Sequence, residues 1–185
     1  NFAASLSNLH TALGLGQNMY MTAAAWMPDN RHFWISGATT NIVTAGQNLM
    51  WLCRYDPDTN SVVLVDTYNA GAGASITQIH LSPDGQRLVV LDKTQTSNGI
   101  FVLVLGDGYK VKSRINTTGS TQSVNTIFWH PRLNLFGYTQ FTSTNNIIIK
   151  RWNGSSYADV VVTAVPAALT RGGGFLFSGR VLWLT

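Results

Sequence analysis

The chain has 185 residues, of which 45% are hydrophobic and only 11% are charged, and its formal net charge is +4. This length predicts about one domain, and the hydrophobic fraction is enough for a buried core, which excludes a wholly disordered chain. The Lys and Arg residues are scattered, so no basic patch for nucleic acid is indicated. Apolar runs are shorter than the roughly 18 residues that cross a bilayer. We therefore expect no nucleic-acid partner and no membrane insertion.

The composition predicts a polar surface that is mostly uncharged. The sequence contains no glutamate, but it contains 20 Thr, 15 Asn and 14 Ser residues. Glutamate is a strong helix former, whereas Thr favours strands and Asn and Ser favour turns. The composition therefore favours an all-β fold.

The first predicted elements are two hairpins. Residues 23–36 (AAAWMPDNRHFWIS) form a strand, a Pro-Asp-Asn turn and a second strand, and residues 49–55 turn through an Asp-Pro pair into residues 61–68. Alternating apolar residues before the first turn are typical of a strand with one buried face. Residues 1–22 are expected to form an N-terminal segment or a closing strand.

The same pair of hairpins recurs further along the chain, where the turns are Pro-Asp-Gly, Asp-Gly, Pro-Arg, Asn-Gly and Ser-Gly. The equivalent residues Trp26, Leu81, Trp129 and Phe177 follow one another at intervals of 55, 48 and 48 residues. The later hairpins are 78–91 and 99–115 in the second unit, 126–139 and 146–164 in the third, and 173–185 in the fourth.

A unit of four strands, here called a, b, c and d, in about 48 residues predicts the blade of a β-propeller. We expect an all-β propeller of four-stranded antiparallel blades, with three complete repeats and a partial fourth. The predicted blades are 23–70, 71–118, 119–166 and 167–185. An all-β sandwich would not require the same turn at the same place four times. Either residues 1–22 close a four-bladed ring, or the chain is a segment of a larger propeller, which would cover strand edges that an open stack exposes.

The repeats resemble those of WD40-type and YVTN-type propellers. SPDGQRLVV and DPDTNSVVLV are similar to the first-hairpin and second-hairpin signatures of those families, and Tyr55-Asp56 and Trp152-Asn153 resemble the Trp-Asp that names WD40 repeats. The Gly-His dipeptide of that family is absent, and the second unit ends strand c in Leu105-Gly106. The resemblance implies the fold and says little about chemistry.

In a propeller the a–b and c–d turns lie on one face, and the b–c and d–a loops lie on the other. The b–c and d–a loops are longer here and rich in hydroxyl and amide side chains, which suit sugars or a polar protein surface. These residue types are also simply common in soluble loops. The predicted binding residues are Thr40, Asn41, Gln95, Thr96, Asn98, Gln140 and Thr142.

Catalysis has little support in the sequence, and we predict no catalytic residue, no metal site and no cofactor. Five of the eight aspartates occupy predicted turns, where they have a structural role. The four histidines show no metal-ligand spacing, and no phosphate-binding or dinucleotide motif is present. The single cysteine, Cys53, lies in a predicted strand and is expected to be buried. The five turn aspartates are Asp29, Asp56, Asp58, Asp84 and Asp107.

We expect a non-enzymatic structural or interaction propeller, located in a virion or outside the cell. A composition without glutamate and with few charges resembles that of bacteriophage tail and adsorption proteins. Its partners would be other protein subunits of an assembly, or a glycan or receptor on a host surface. One alternative is an extracellular propeller that binds or cleaves carbohydrate. The other is an intracellular WD40-type scaffold, against which the low charge and the missing Gly-His count.

Overall fold

The structure is a computed structural model that describes residues 9, 13, 19–39, 49–71, 74–92, 99–117, 124–140, 146–164, 172–175 and 181–184. Most of these residues lie in strands, and Asp107–Tyr109 form a short 3-10 turn. The strands are β1 (Met19–Trp26), β2 (His32–Thr39), β3 (Leu49–Asp56), β4 (Ser61–Asn69), β5 (Ile76–Leu81), β6 (Arg87–Asp92), β7 (Ile100–Leu105), β8 (Val111–Asn116), β9 (Val124–Trp129), β10 (Leu135–Gln140), β11 (Asn146–Trp152), β12 (Tyr157–Ala164), β13 (Gly172–Phe175) and β14 (Val181–Leu184).

The strands form antiparallel sheets in chain order. Strands β1 to β4, β5 to β8 and β9 to β12 each make a four-stranded sheet, and β13 pairs with β14. The first strands of successive sheets are neighbours, so β1 lies beside β5, β5 beside β9, and β9 beside β13. This arrangement is that of propeller blades, each with its strand a innermost. The predicted fold class, with three complete blades and a partial fourth, is confirmed.

The second blade buries its two faces against different neighbours. Trp34 and Leu52 of the first blade pack against Leu88 and Val90 of the second. The intervening residue Val89 points the other way, toward the third blade. Because successive side chains of a strand alternate between faces, burial on both sides requires a nearly continuous apolar run. This explains why β6 and β7 have almost no polar residues.

The face of the first blade that points away from the second blade is also covered. Leu9 and Leu13, which are joined by a backbone hydrogen bond of 2.9 Å, contact a cluster that includes Phe33, Trp51 and Cys53. Cys53 is fully buried, as predicted, and burial raises the pKa of its thiol to about 12. The thiol is therefore a packing group, because the reactive thiolate does not form near neutral pH.

Two tryptophans connect neighbouring blades by hydrogen bonds to backbone carbonyls. Trp34 Nε1 donates to the carbonyl of Tyr109 in the second blade at 3.1 Å. Trp129 Nε1 of the third blade donates to the carbonyl of His80 at 2.9 Å. Tyr109 has a φ of +62°, which is unusual for a large side chain, and the contact with Trp34 helps to hold it there. These bonds satisfy buried indole groups and fix the rotation between blades.

Two glycines mark places where neighbouring backbones or side chains come too close for a Cβ atom. Gly85 has a φ of +70°, and a Cβ there would lie 2.6 Å from Pro28 Cγ. The Pro-Asp-Gly turn of the second blade therefore packs directly on the equivalent turn of the first. At Gly137 in β10, a Cβ would lie 2.5 Å from Phe128 Cε2 and 2.7 Å from Ile149 Cδ1.

We expect Gly137→Ala to destabilise the fold by about 1–3 kcal/mol, because the added methyl group overpacks a buried layer. The free energy of unfolding in urea measures this effect. Gly106→Ala is the matched control, since its Cβ would approach no atom closer than Lys112 Cβ at 3.6 Å. The control should change stability by no more than about 0.5 kcal/mol. Equal stability of the wild-type protein and Gly137→Ala would contradict the described packing.

Candidate functional site

The face that carries the a–b and c–d turns, here called the turn face, uses its carboxylates to build turns. Asp29 Oδ1 accepts hydrogen bonds from the backbone N–H groups of Arg31 and His32 at 3.0 and 2.9 Å. Asp84 Oδ1 accepts the Ser82 hydroxyl at 2.5 Å, and Asp84 Oδ2 lies 2.8 Å from Arg87 Nη1. These contacts confirm the structural role predicted for the two aspartates.

The hydrogen bonds also set the charge state of these turns. Partial burial raises the pKa of Asp84, but the hydrogen bonds from Ser82 and Gln86 and the charge of Arg87 outweigh it and bring the pKa below the usual 3.8. At neutral pH the Asp84 carboxylate is ionised and already occupied by local donors. It is therefore poorly suited to act as a general acid or base.

The third blade keeps the same turn without an aspartate. His130 Nδ1 accepts hydrogen bonds from the backbone N–H groups of Arg132 and Leu133 at 3.1 and 3.0 Å. An imidazole nitrogen that accepts two hydrogen bonds must be unprotonated. Burial, together with the charge of Arg132, lowers the pKa of His130 below 6.5. This role was not predicted, because His130 directly precedes Pro131 and histidine is not a residue type that marks turns.

We expect the stability of the wild-type protein to decrease as pH falls below 6.5, because the unfolded chain then binds a proton at residue 130 that the folded chain does not. The contribution of His130 to the free energy of unfolding is complete above that pH. It decreases progressively as the pH falls from 6.5 to the lower pKa of the folded protein. His130→Asn keeps an acceptor oxygen but does not titrate. Urea denaturation at about pH 7.5 and pH 5 measures the difference. The wild-type protein should lose more stability than the variant, and identical losses would contradict the assignment.

A cavity of about 430 Å³ opens on the turn face between the second and third blades. Two of its side chains, Trp129 and His130, already make the structural hydrogen bonds described above. This occupancy leaves the cavity few polar groups for a ligand. Its lining includes His80, Pro83, Phe128, Trp129, His130 and Pro131.

The opposite face, here called the loop face, is where strands b and d end and strand a begins. The b strands end at Thr39, Asp92 and Gln140, so all three b–c loops leave from this face. Of the seven predicted binding residues, Gln140 lies at the last position of β10 and is half-buried, with position 146 of β11 opposite it. The other six lie outside the described residues: Thr40, Asn41, Gln95, Thr96, Asn98 and Thr142.

A buried carboxylate anchors one root of the loop face. Asp92 is fully buried at the end of β6, and its Oδ1 accepts a hydrogen bond from the backbone N–H of Ser75 at 2.8 Å. Ser75 directly precedes β5, so this bond joins the start of a b–c loop to the end of a d–a loop. A buried carboxyl group is stabilised by such a donor. The sequence signal was an aspartate directly after the apolar run LVVL, one residue beyond the hairpin predicted for residues 78–91.

Arg114 joins two blades at the loop face. Its Nη1 donates to the carbonyl of Ala70, at the end of the first blade, at 2.8 Å, and its Nε donates to Asn116 Oδ1 at 2.7 Å. The guanidinium carbon lies 3.9 Å from the centroid of the Phe101 ring. The bond to Ala70 therefore ties the d–a connection of the first blade to the second blade, while Asn116 and the cation–π contact with Phe101 hold the guanidinium in place.

We expect Arg114→Leu to lower the free energy of unfolding by about 1–3 kcal/mol, because the Ala70 carbonyl loses a charged donor while apolar contact with Phe101 is kept. Lys112→Leu, at an exposed position of the same strand, is the control and should change stability little. Urea denaturation measures both variants. If Lys112→Leu is destabilised as much as Arg114→Leu, the loss of stability comes from changing strand β8 and not from losing the Arg114 contacts.

Among the described residues, no group of three or more His, Cys, Asp or Glu side chains could hold a metal ion. Within the same part of the chain, no helix is long and apolar enough to span a membrane. Among the described residues of the loop face, Asp92 and Arg114 fix the ends of strands and connections that are distant in sequence.

Comparisons with known proteins identify the fold. No family model matches the sequence, and no curated protein matches it significantly. Solved structures do match: a candidate 6-phosphogluconolactonase from Bacteroides uniformis is 12% identical with a TM-score of 0.69, and the match covers 90% of this chain and 47% of that one. The chain therefore spans about half the length of this structure.

Two further structures belong to proteins of other kinds. The β-propeller domain of Cps50 (Swd1) from Myceliophteria thermophila is 13% identical with a TM-score of 0.57, and the match covers 80% of this chain and 44% of that domain. A chain of the mitotic checkpoint complex is 17% identical with a TM-score of 0.59, and the match covers 92% of this chain and 49% of that one. The neighbours include WD40 β-propeller proteins, which confirms the fold implied by the repeat resemblance. Identities this low show the fold alone.

Proposed function

We propose that the protein is a non-enzymatic β-propeller that binds other proteins through its loop face. The observation that carries this proposal is the rigid root of that face, where the buried Asp92 carboxylate holds Ser75. Arg114 adds a second fixed point between blades. Loops on rigid roots lose less entropy on binding than loops on mobile ones, which favours affinity.

The distribution of acidic groups favours binding over catalysis. The turn-face carboxylates Asp29 and Asp84 hold local hydrogen bonds, and Asp92 is fully buried. Glycoside hydrolysis usually needs two carboxyl groups that face a substrate across a cleft. The likeness to a chain of the mitotic checkpoint complex, itself a protein assembly, supports a role in protein contacts.

The more specific form of the proposal is a component of a virus particle, such as a bacteriophage tail or adsorption protein. The support is compositional: only 11% of residues are charged, glutamate is absent, and Thr, Asn and Ser are abundant. Its partners would be neighbouring subunits of the particle or a glycan or receptor on the host. This form places the protein in a virion or outside the cell.

Lysine cross-linking on the purified source particle tests both parts of the proposal, namely protein binding through the loop face and a place in a virus particle. Lys93 lies in the b–c loop that follows Asp92, whereas Lys110 and Lys112 are exposed near the c–d turn of the turn face, and Lys150 is buried. We expect the chain to co-purify with the particle and to form intermolecular links through Lys93. Lys110 and Lys112 serve as internal controls and should form few such links.

Several outcomes would contradict the proposal. Recovery of the chain only as a free soluble protein contradicts the virion role. Intermolecular links confined to Lys110 and Lys112 contradict the use of the loop face. A triple variant should weaken the association of the chain with the particle without changing its free energy of unfolding; it combines Gln95→Ala, Thr96→Ala and Asn98→Ala. The control Gln86→Ala, on the turn face, should leave association with the particle unchanged.

Carbohydrate binding or cleavage is the second candidate. It is favoured by the likeness to candidate 6-phosphogluconolactonases from two Bacteroides species, at 12% and 11% identity. A glycan array and a hydrolysis assay with 6-phosphogluconolactone separate this candidate from the first. Under the primary proposal the protein does not hydrolyse the lactone above the uncatalysed rate. Turnover that is lost when loop-face residues are substituted would replace the primary proposal with this one.

A further inference from the structure

Strand β12 (Tyr157–Ala164) is the outermost strand of the third blade. Its inner edge pairs with β11 from Trp152↔Tyr157 to Asn146↔Ala164. Among the described residues, no strand pairs with its outer edge. An outer edge presents main-chain N–H and C=O groups that can pair with a further strand.

The outer edge of β12 is apolar at its centre. Val160 and Val161 are each 45% exposed. The register shifts between Ile149 and Lys150, so Val160 is an extra residue opposite β11 and two consecutive valines are exposed. β-branched residues favour strand pairing, and their burial by a partner strand would be favourable.

The edge lacks a charge that would repel a partner strand. Its one acidic group, Asp159, lies 2.6 Å from the Nζ of Lys150, which is only 1% exposed. The corresponding strand of the second blade, β8, carries the exposed Lys112 instead. Proteins commonly protect exposed edges with such cations, and β12 has no equivalent.

We propose that β12 pairs antiparallel with β12 of a second copy of this chain, about a two-fold axis at Val161. The sequence ADVVVTA of residues 158–164 is nearly symmetric about this position. The axis places Ala158 opposite Ala164, Asp159 opposite Thr163, and position 160 opposite position 162. No charge faces a like charge, and the same strand supplies both sides, as an isologous interface requires.

Disulfide trapping tests the register. Val161→Cys places a thiol beside its own copy across the axis, and opposite residues of an antiparallel pair have Cα atoms about 4.5–5.5 Å apart, within the range for a disulfide. Cys53 is fully buried and does not compete. Mild oxidation should convert the variant to a covalent dimer on a non-reducing gel. Val63→Cys, at a comparably exposed position of β4 (41% exposed), is the control and should form no covalent dimer on the same gel.

Sedimentation of the full chain tests whether the pairing occurs without a cross-link. The wild-type chain should dimerise reversibly, and Val161→Lys should weaken dimerisation at least about tenfold by opposing two cations across the axis. Val161→Thr keeps the β-branched shape and should still dimerise. A wild-type chain that stays monomeric, or a dimer lost with Val63→Lys but kept with Val161→Lys, overturns the proposal. If Val161→Lys does not fold, the presence or absence of the covalent Val161→Cys dimer decides whether β12 pairs with its own copy.

Discussion

The burial of both faces of the second blade, which lies between the first and the third, is the constraint on which the other features depend. In the second blade, Leu88 and Val90 face the first blade, whereas Val89 and Leu91 face the third, and all four are 0% exposed. Such a sheet has little core of its own, so its stability comes largely from its neighbours, as in other repeat architectures. A similar constraint acts at Gly137 in the third blade, where a larger residue would force the layers apart.

The apolar layers leave most polar chemistry to the ends of the strands, and the two ends use it differently. On the turn face, Asp29, Asp84 and His130 accept backbone hydrogen bonds, so short turns satisfy their own polar groups. On the loop face, Asp92 and Arg114 act between segments that are distant in sequence. The turns are thus locally determined, whereas the loop roots depend on the assembled blades. Loops on such roots can vary in sequence without disturbing the layers.

The repeat, the blade architecture and the aspartate turns could be predicted because they rest on short-range patterns. Alternating apolar residues and Asp-Pro or Asp-Gly pairs indicate hairpins from the sequence alone. The role of His130 was not predicted, because its ring nitrogen accepts the hydrogen bonds that an aspartate accepts in the other two blades, and histidine is not a typical turn residue. Asp92 and Arg114 were missed since their partners, Ser75 and Ala70, are set by tertiary packing. Of the predicted binding residues, only Gln140 lies within the described part of the chain, so the loop-face site stays a prediction.

Lys150 has a consequence for the choice of strand register. It occupies the place that Cys53 and Leu103 take in the other blades, since each lies opposite the residue that pairs with the end of strand a. Its ammonium group is buried in an apolar layer and is compensated by Asp159. A slip of β11 by one residue would turn the ammonium to the other face, among Phe128 and Leu135, away from this carboxylate. An uncompensated buried charge costs several kcal/mol, so Lys150 makes the misaligned sheet far less stable than the aligned one.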